Sequence, residues 1–379
     1  MMLSTRAEYS IFSVPLYYVL KLRRPMEKLT SFYRNKKILV TGATGFKGSW
    51  LCCWLLKLGA IVYGTGYKPN KNKNLLYVLN LQKKINLKLL DIRDFKKVNK
   101  FINEKKPQII FHLAAQPLVH ESYKYPMYTF DVNIKGTLNI LEASKNCKSV
   151  MSIICVTNQI YKNKNKKFKE TYELDGIDPY NVSKASAELI VNSYREIFKQ
   201  MKKKCAVSSV SAGNIVGGGD WSNDRIVPDA IKSIRSNKIL LIRNPNFTRP
   251  WQFVLEPLKG YLLLAKKQRE EINKFSGNWS FGPSQSSKIS VIEIVKLIIK
   301  FWGKGNYKIK KNKKFKESKN LILDINKTKK HLKWQPTYNT KKAIKLAIKW
   351  YLDVIKNKKS PSQVTNEQIS SYMNLANLK

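Results

Sequence analysis

The chain has 379 residues, 71 of them Lys or Arg and 25 Asp or Glu, which gives a formal charge of +46. Its length allows one large domain or two lobes with a sizeable core, while five cysteines and three histidines without metal-ligand spacing argue against a disulfide framework and a histidine metal centre. The charge alone would suggest a nucleic-acid or anionic-surface partner, but Lys far outnumbers Arg, the basic runs 162–169 and 308–316 read as solvated faces or loops, and no nucleic-acid module accompanies them, so no specific nucleic-acid partner is expected.

Residues 1–25 stand apart from the pattern that follows. The apolar stretch 11–20 is interrupted by Pro15 and is too short to cross a bilayer as a helix. Lys21-Leu22-Arg23-Arg24-Pro25 is a poor signal-cleavage site. We expect a non-core extension ahead of a natural start at Met26, no membrane span, and a protein of the reducing cytoplasm.

The first strong element is Lys37-Ile38-Leu39-Val40-Thr41, followed by Gly42-Ala43-Thr44-Gly45-Phe46-Lys47-Gly48 and an apolar segment, 49–58. This order predicts strand, tight glycine turn and helix. A backbone approaches a pyrophosphate closely only where side chains are absent, and the positive end of the following helix favours the anion, so the run predicts dinucleotide binding. Further strands are expected at 61–63, 87–90 running into Asp91, 109–111, 150–156 and 206–210, with helices at 95–104 and 132–144 between them. Strands alternating with helices predict an α/β fold with a Rossmann-type, doubly wound parallel sheet. The second strand runs into Gly64-Thr65-Gly66 with no acid in register, so the ribose rule leaves NAD and NADP both open.

Beyond the fifth strand, Asp178-Pro179-Tyr180-Asn181-Val182-Ser183-Lys184 opens a helix. Tyr180 and Lys184, four residues apart, share one helix face. An ammonium near a phenol stabilises the phenolate, which makes Tyr180 a candidate base for a substrate hydroxyl. We expect residues 26–225 to form the dinucleotide-binding domain and 226–379 to form mainly a smaller substrate-binding lobe. Later strands are allowed to join the main sheet. Trp334 and Trp350 are expected in the core.

Longer strings sharpen this reading: Thr41-Gly42-Ala43-Thr44-Gly45-Phe46-Lys47-Gly48-Ser49-Trp50-Leu51, His112-Leu113-Ala114-Ala115-Gln116-Pro117-Leu118-Val119, Ala212-Gly213-Asn214-Ile215-Val216-Gly217-Gly218-Gly219-Asp220-Trp221, and Arg249-Pro250-Trp251-Gln252. With these the chain resembles the extended short-chain dehydrogenase/reductases, and within them the CDP-glucose 4,6-dehydratase branch, from Asn35 to the C-terminus. The resemblance implies NAD as cofactor, CDP-glucose or a related nucleotide-sugar as substrate, and a homodimer formed through paired helices. It implies cofactor contacts at Gly42, Thr44, Gly45, Phe46, Gly48, Asp91, Ile92, Ala114, Ala115, Gln116, Tyr180 and Lys184, and substrate contacts at Asn214, Arg225 and Arg249. The implied catalytic group is Thr157, Tyr180, Lys184, Asn158 and Gln159, with Thr157 hydrogen-bonding the sugar 4-oxygen.

Asn158 and Gln159 stand where the resembling enzymes carry Asp followed by Lys or Glu. An amide has no useful pKa and is no general acid or base near neutral pH. Three readings follow: a dehydratase of deoxysugar and surface-polysaccharide synthesis that tolerates the amides, a redox-only 4-epimerase, or a binding paralogue. The branch also usually has Arg in place of His120 and Ser211.

Overall fold

The structure, a computed structural model, describes residues 24–67, 69, 74–157, 168–284, 289–310 and 322–376; the side chains of 24–28 and of Thr157 are not described. The segment 1–23 lies outside this range.

Seven parallel strands form the central sheet: β1 (Lys37–Thr41), β2 (Ile61–Gly66), β3 (Asn86–Leu89), β4 (Ile109–His112), β5 (Ser152–Thr157), β6 (Ala206–Ala212) and β7 (Gly277–Phe281). Their order is β7-β6-β5-β4-β1-β2-β3, so the chain winds outward from β1 in one direction and then returns to build the other. In register, Val40 of β1 lies between Gly64 of β2 and Phe111 of β4. The apolar runs of β1 and β4 and the whole of the serine-containing β6 are buried because helices cover both faces. The doubly wound sheet expected from the alternating pattern is therefore the observed one, and six of its strands begin within two residues of their expected starts.

On one face lie α3 (Phe95–Lys105), α4 (Gly136–Lys145) and α5 (Pro179–Gln200), whose apolar sides bury Phe101, Ile140 and Val191 against Leu39, Ile110 and Ile153. On the other face lie α1 (Arg24–Tyr33), α2 (Phe46–Lys57) and α7 (Leu255–Glu270), packed in a larger apolar cluster with the C-terminal helices α9 (Thr340–Ile355) and α10 (Pro361–Leu375). The helix α1 is a feature the sequence pattern did not suggest. Its Tyr33 hydroxyl donates to the Leu262 carbonyl of α7 at 2.8 Å, and Leu29 and Tyr33 are buried. Between α7 and the sheet, Gln268 bonds Ser152 of β5 and donates to Ser208 of β6 at 2.7 Å, so these three buried polar side chains satisfy one another.

Two details depart from the expected elements. The helix foreseen over 132–144 begins as a π-turn, Asp131–Lys135, before α4 proper. Strand β7 comes from late in the chain and pairs with β6 from Gly277 opposite Ser208 to Phe281 opposite Ala212.

Above the carboxyl edge of the sheet, three short strand pairs knit a smaller layer: Ile215–Val216 with Gln252–Phe253, Leu240–Ile242 with Tyr307–Ile309, and Thr248–Arg249 with Ile289–Ser290. The helices α6 (Ile226–Arg235) and α8 (Val291–Trp302) brace it. Trp334 and Trp350 are core residues, as their place in the closing segment suggested. Among the described residues no helix is long and apolar enough to cross a membrane.

Candidate active site

One cavity of about 790 Å³ runs along the carboxyl edge of the sheet and under the small layer. It is of the size that holds cofactors and small substrates. Its lining contains Gly42, Thr44, Gly45, Phe46, Gly48, Asp91, Ile92, Ala114, Ala115, Tyr180, Lys184, Asn214, Arg225 and Arg249, all anticipated from the sequence.

The glycine turn is built for close approach. Gly42 has φ +71°, and a Cβ there would lie 2.7 Å from the Ala114 nitrogen; a Cβ on Gly48 would lie 2.1 Å from the Gly42 carbonyl oxygen. The helix α2 then starts with Gly45 as N-cap and no side-chain cap, which leaves its first N–H groups for an anion. Asn74 holds the turn from outside, donating to the Thr44 carbonyl at 2.6 Å. A dinucleotide fits this cradle: its pyrophosphate would sit on the α2 N-terminus. At the end of β2, Gly66 packs against Thr44 and Tyr67 follows in the cavity wall, so a side chain at 66 is excluded by sterics and the absence of an acid there has a structural cause.

Tyr180 and Lys184 are both buried in the first turns of α5. Asp178 caps this helix by accepting from the Asn181 N–H at 2.9 Å, and Pro179 occupies its first position, where a missing N–H has no consequence. The Lys184 ammonium donates to the Val156 carbonyl at 3.2 Å, which fixes it at the end of β5. Burial lowers its pKa to about 8. Thr157 ends β5 opposite Ser211. Asn158 and Gln159 lie outside the described residues, as does the Thr157 side chain.

Gln116 is absent from the cavity lining. Its amide donates to Thr129 at 2.8 Å and accepts from the Leu118 N–H, while its backbone N–H donates to Asn133 at 2.8 Å. Asn133 in turn donates to Ser183 at 2.8 Å, and the Ser183 hydroxyl donates to the Tyr180 carbonyl at 2.7 Å. Gln116 therefore braces the Tyr180 turn from behind. Ser211 is also turned away, sharing a hydrogen bond with Ser280 of β7 at 3.2 Å, whereas His120 borders the cavity.

Two residues not foreseen as site components emerge only in three dimensions. His112, at the end of β4, is buried between Thr41 at 2.7 Å from Nδ1 and Thr137 at 3.1 Å from Nε2. The Thr137 hydroxyl donates to the Asn133 carbonyl at 2.6 Å, so it must accept from Nε2–H, and Nδ1 accepts from Thr41. Burial, with the Lys184 charge, lowers the His112 pKa to about 3, so the ring is neutral and its tautomer fixed. The Thr41 oxygen thereby accepts from the Ala114 N–H at 3.3 Å, tying the β1 turn to the Ala114-Ala115 wall.

Lys47 is the second. Its ammonium donates to the Tyr261 hydroxyl at 3.4 Å, and its pKa falls to about 7 through burial and the nearby Lys184 and Arg225 charges. Three cations thus converge on one cavity, and an anionic ligand would restore the charged form of the two lysines. Binding of a dinucleotide near about pH 8 is expected to take up roughly one proton, and near about pH 6, where both lysines are already charged, close to none. Titration calorimetry in buffers of different ionisation enthalpy measures this, and Lys47→Met is expected to abolish most of it.

The far wall carries the Gly217–Gly218–Gly219 turn and Arg225, which pairs with Asp220 at 3.2 Å. Trp50 donates to the Gly218 carbonyl at 3.0 Å, and Tyr351 of α9 donates to the Asp220 carbonyl at 2.6 Å. A Cβ on Gly218 would lie 1.9 Å from Trp350 Cγ. Gly218→Ala is therefore expected to cost about 1–3 kcal/mol through overpacking and to lower Tm in scanning calorimetry. Arg249 lies over the Phe247 ring at 5.2 Å, and Trp251 is buried at the cavity edge.

A dinucleotide cradle and a buried tyrosine–lysine helix pair on one parallel sheet define the extended short-chain dehydrogenase/reductase class. Within that class the chain belongs to the GDP-mannose 4,6 dehydratase family, whose model matches residues 39–347. It is 36% identical, over 90% of its length and 98% of the relative's, to a CDP-glucose 4,6-dehydratase of Salmonella typhimurium. Its fold matches that of a dTDP-glucose 4,6-dehydratase from Bacillus anthracis in complex with NAD, with TM-score 0.70, 20% identity, and 85% and 98% of the two chains covered. It also matches a UDP-glucose 4-epimerase from Thermotoga maritima with UDP-glucose, with TM-score 0.71, 22% identity, and 84% and 99% covered.

Proposed function

We propose that the protein is an NAD-dependent nucleotide-sugar dehydratase, a lyase that converts CDP-glucose to CDP-4-dehydro-6-deoxyglucose for deoxysugar synthesis. The observation that carries this reading is the likeness, across nearly the whole chain, to the Salmonella CDP-glucose 4,6-dehydratase. Residues 26–225 hold the dinucleotide, and 226–379 mainly the nucleotide-sugar.

When bound, NAD supplies a hydride acceptor and, within the same turnover, a hydride donor. Gly42, Thr44, Gly45, Phe46 and Gly48 hold its pyrophosphate, and Asp91, Ile92, Ala114 and Ala115 border its two ends. Tyr180 takes the proton of the sugar 4-hydroxyl, with the Lys184 charge stabilising the phenolate. Thr157 hydrogen-bonds the same oxygen. The 4-ketone then acidifies the C5 hydrogen, which leaves with the 6-hydroxyl as water, and a hydride to C6 with a proton to C5 would complete the 6-deoxy sugar, balancing the hydride and proton taken from C4 and its oxygen. Asn214, Arg225 and Arg249 hold the nucleotide-sugar, the guanidinium forks suiting a diphosphate.

The amides Asn158 and Gln159 favour a second reading, a redox-only 4-epimerase. Incubation with CDP-glucose and NAD, followed by mass spectrometry of the sugar, separates the two. Loss of one water is expected; an isomerised sugar of unchanged mass would replace the dehydratase by the epimerase. A silent protein that becomes active as Asn158→Asp, Gln159→Lys would identify a binding paralogue.

We also read the protein as a cytoplasmic homodimer. Supporting observations are five buried free cysteines and exposed apolar side chains on neighbouring helices, with Met127 81%, Leu138 38% and Leu189 59% exposed. Light scattering tests the dimer.

A further inference from the structure

The cavity has a direction set by the sheet. Tyr180 and Lys184 stand beyond β5, the glycine turn stands over β1, and β2 and β3 continue to the opposite edge. A dinucleotide whose nicotinamide meets Tyr180 and whose pyrophosphate sits on α2 must lay its adenosine over the ends of β2 and β3. There the lining is Gly66, Tyr67, Asp91, Ile92 and Tyr128.

Behind that lining, and not itself part of it, is Arg93. Its Nε donates to both Asp91 oxygens at 3.1 and 3.0 Å, its Nη2 donates to Oδ2 at 2.6 Å, and its backbone N–H donates to Oδ1 at 2.9 Å. The same guanidinium lies 5.0 Å from the Tyr128 ring centroid, and its Nη1 is 4.0 Å from Asp131. Three donated protons occupy most of the roughly four acceptor directions of a carboxylate. One direction remains for a further donor, and Asp91 lines the cavity. The Arg93 guanidinium also holds the Asp91 carboxyl below the usual carboxylate range, so it is an acceptor only.

We infer that Arg93 is a positioning residue for the adenine ring: its fork fixes Asp91 so that the remaining carboxylate direction accepts the exocyclic 6-amino group, while its planar face steadies Tyr128 beside the base. The inference rests on the placement of the dinucleotide proposed above. Hypoxanthine carries an oxygen where adenine carries that amino group. An aimed carboxylate therefore discriminates the two, whereas a loose one rotates and discriminates poorly.

The test compares equilibrium binding of NAD and nicotinamide hypoxanthine dinucleotide, read by tryptophan fluorescence, in the unaltered protein, Arg93→Leu, Arg93→Lys and Asp91→Asn. The unaltered protein is expected to prefer NAD by roughly ten- to hundredfold, the range of one hydrogen bond to a charged group. Arg93→Leu is expected to reduce that preference at least threefold, and Arg93→Lys, which keeps the charge without the fork, to reduce it partly. Equal weakening of both dinucleotides, with the ratio intact, would overturn the inference, because a merely structural arginine moves both affinities together. If Arg93→Leu does not fold, Arg93→Lys decides on the same ratio. A ratio lost in Asp91→Asn but kept in both Arg93 variants would overturn the role of Arg93 alone. A ratio unaltered in Asp91→Asn, or no preference in the unaltered protein, would overturn the adenosine placement beneath it.

Discussion

Tyr180→Phe is expected to lower turnover of CDP-glucose by about 10²- to 10⁴-fold, the usual contribution of a general base. The loss should fall on kcat, with dinucleotide affinity nearly unchanged. Tyr180 lies within the first turn of a capped helix and its backbone is held by Ser122 and Ser183, so removal of one oxygen leaves the scaffold intact. Lys184 enters the same prediction, because its ammonium is anchored on the Val156 carbonyl and its pKa is lowered to about 8. Lys184→Met should therefore reduce the rate as well and flatten the pH–rate profile on its alkaline side. Steady-state kinetics against pH measures both. An unchanged kcat in Tyr180→Phe would remove the tyrosine from the chemistry.

The second large effect concerns stability. Glu256 is fully buried at the start of α7, and its oxygens accept from the Thr337 N–H at 2.9 Å, the Tyr338 N–H at 2.8 Å and the Tyr372 hydroxyl at 2.6 Å. Every neighbour is a donor, and Lys259, which donates to the Gln335 carbonyl at 2.8 Å, stands close by. Glu256→Gln keeps the shape but turns an NH₂ towards an N–H or hydroxyl in either orientation. Breaking such a charged, buried network is expected to cost about 3–5 kcal/mol. At 379 residues that corresponds to a fall in Tm of about 4–6 °C. The pH dependence has a defined sign: the Lys259 pKa is lowered to about 8 by burial, so above that pH the unfolded chain binds more protons and this group makes stability rise until its ordinary pKa is reached. Glu256→Gln should change that slope, and calorimetry at several pH values reads it.

The sequence disclosed those parts of the fold whose signals are local. Strands such as 37–41 and 109–112 are short aliphatic runs bounded by turns, and the glycine run after Thr41 carries its own geometry. Tyr180 and Lys184 were legible because helical spacing alone places them together. Strand β7 was not, since Gly277-Asn278-Trp279-Ser280-Phe281 has turn residues at its ends but no aliphatic run between them, and only pairing with β6 makes it a strand. Gln116 sits in a motif adjoining the cavity, yet Thr129, which turns its side chain aside, and Asn133, which holds its backbone, lie further along the chain. His112 and Lys47 acquire their chemistry from neighbours distant in sequence, and so spacing could not reveal them, whereas Arg93 grips Asp91 only two residues away in a pairing that no regular helix or strand period signals.

The cavity joins residues from nearly both ends of the chain: Gly42 and Gly48 on one wall, and on the other the glycine turn seated on Trp350 and Tyr351. Helix α10 closes the same layer, with Tyr372 edge-on to Trp54 at 5.7 Å. During synthesis the N-terminal strands emerge first and can pair as they appear. The opposite wall, however, is held only from the Trp50 side until the α9 segment has left the ribosome. A nascent chain arrested before residue 340 should therefore carry the glycine turn over β1 while the opposite wall still lacks its seat on Trp350 and Tyr351.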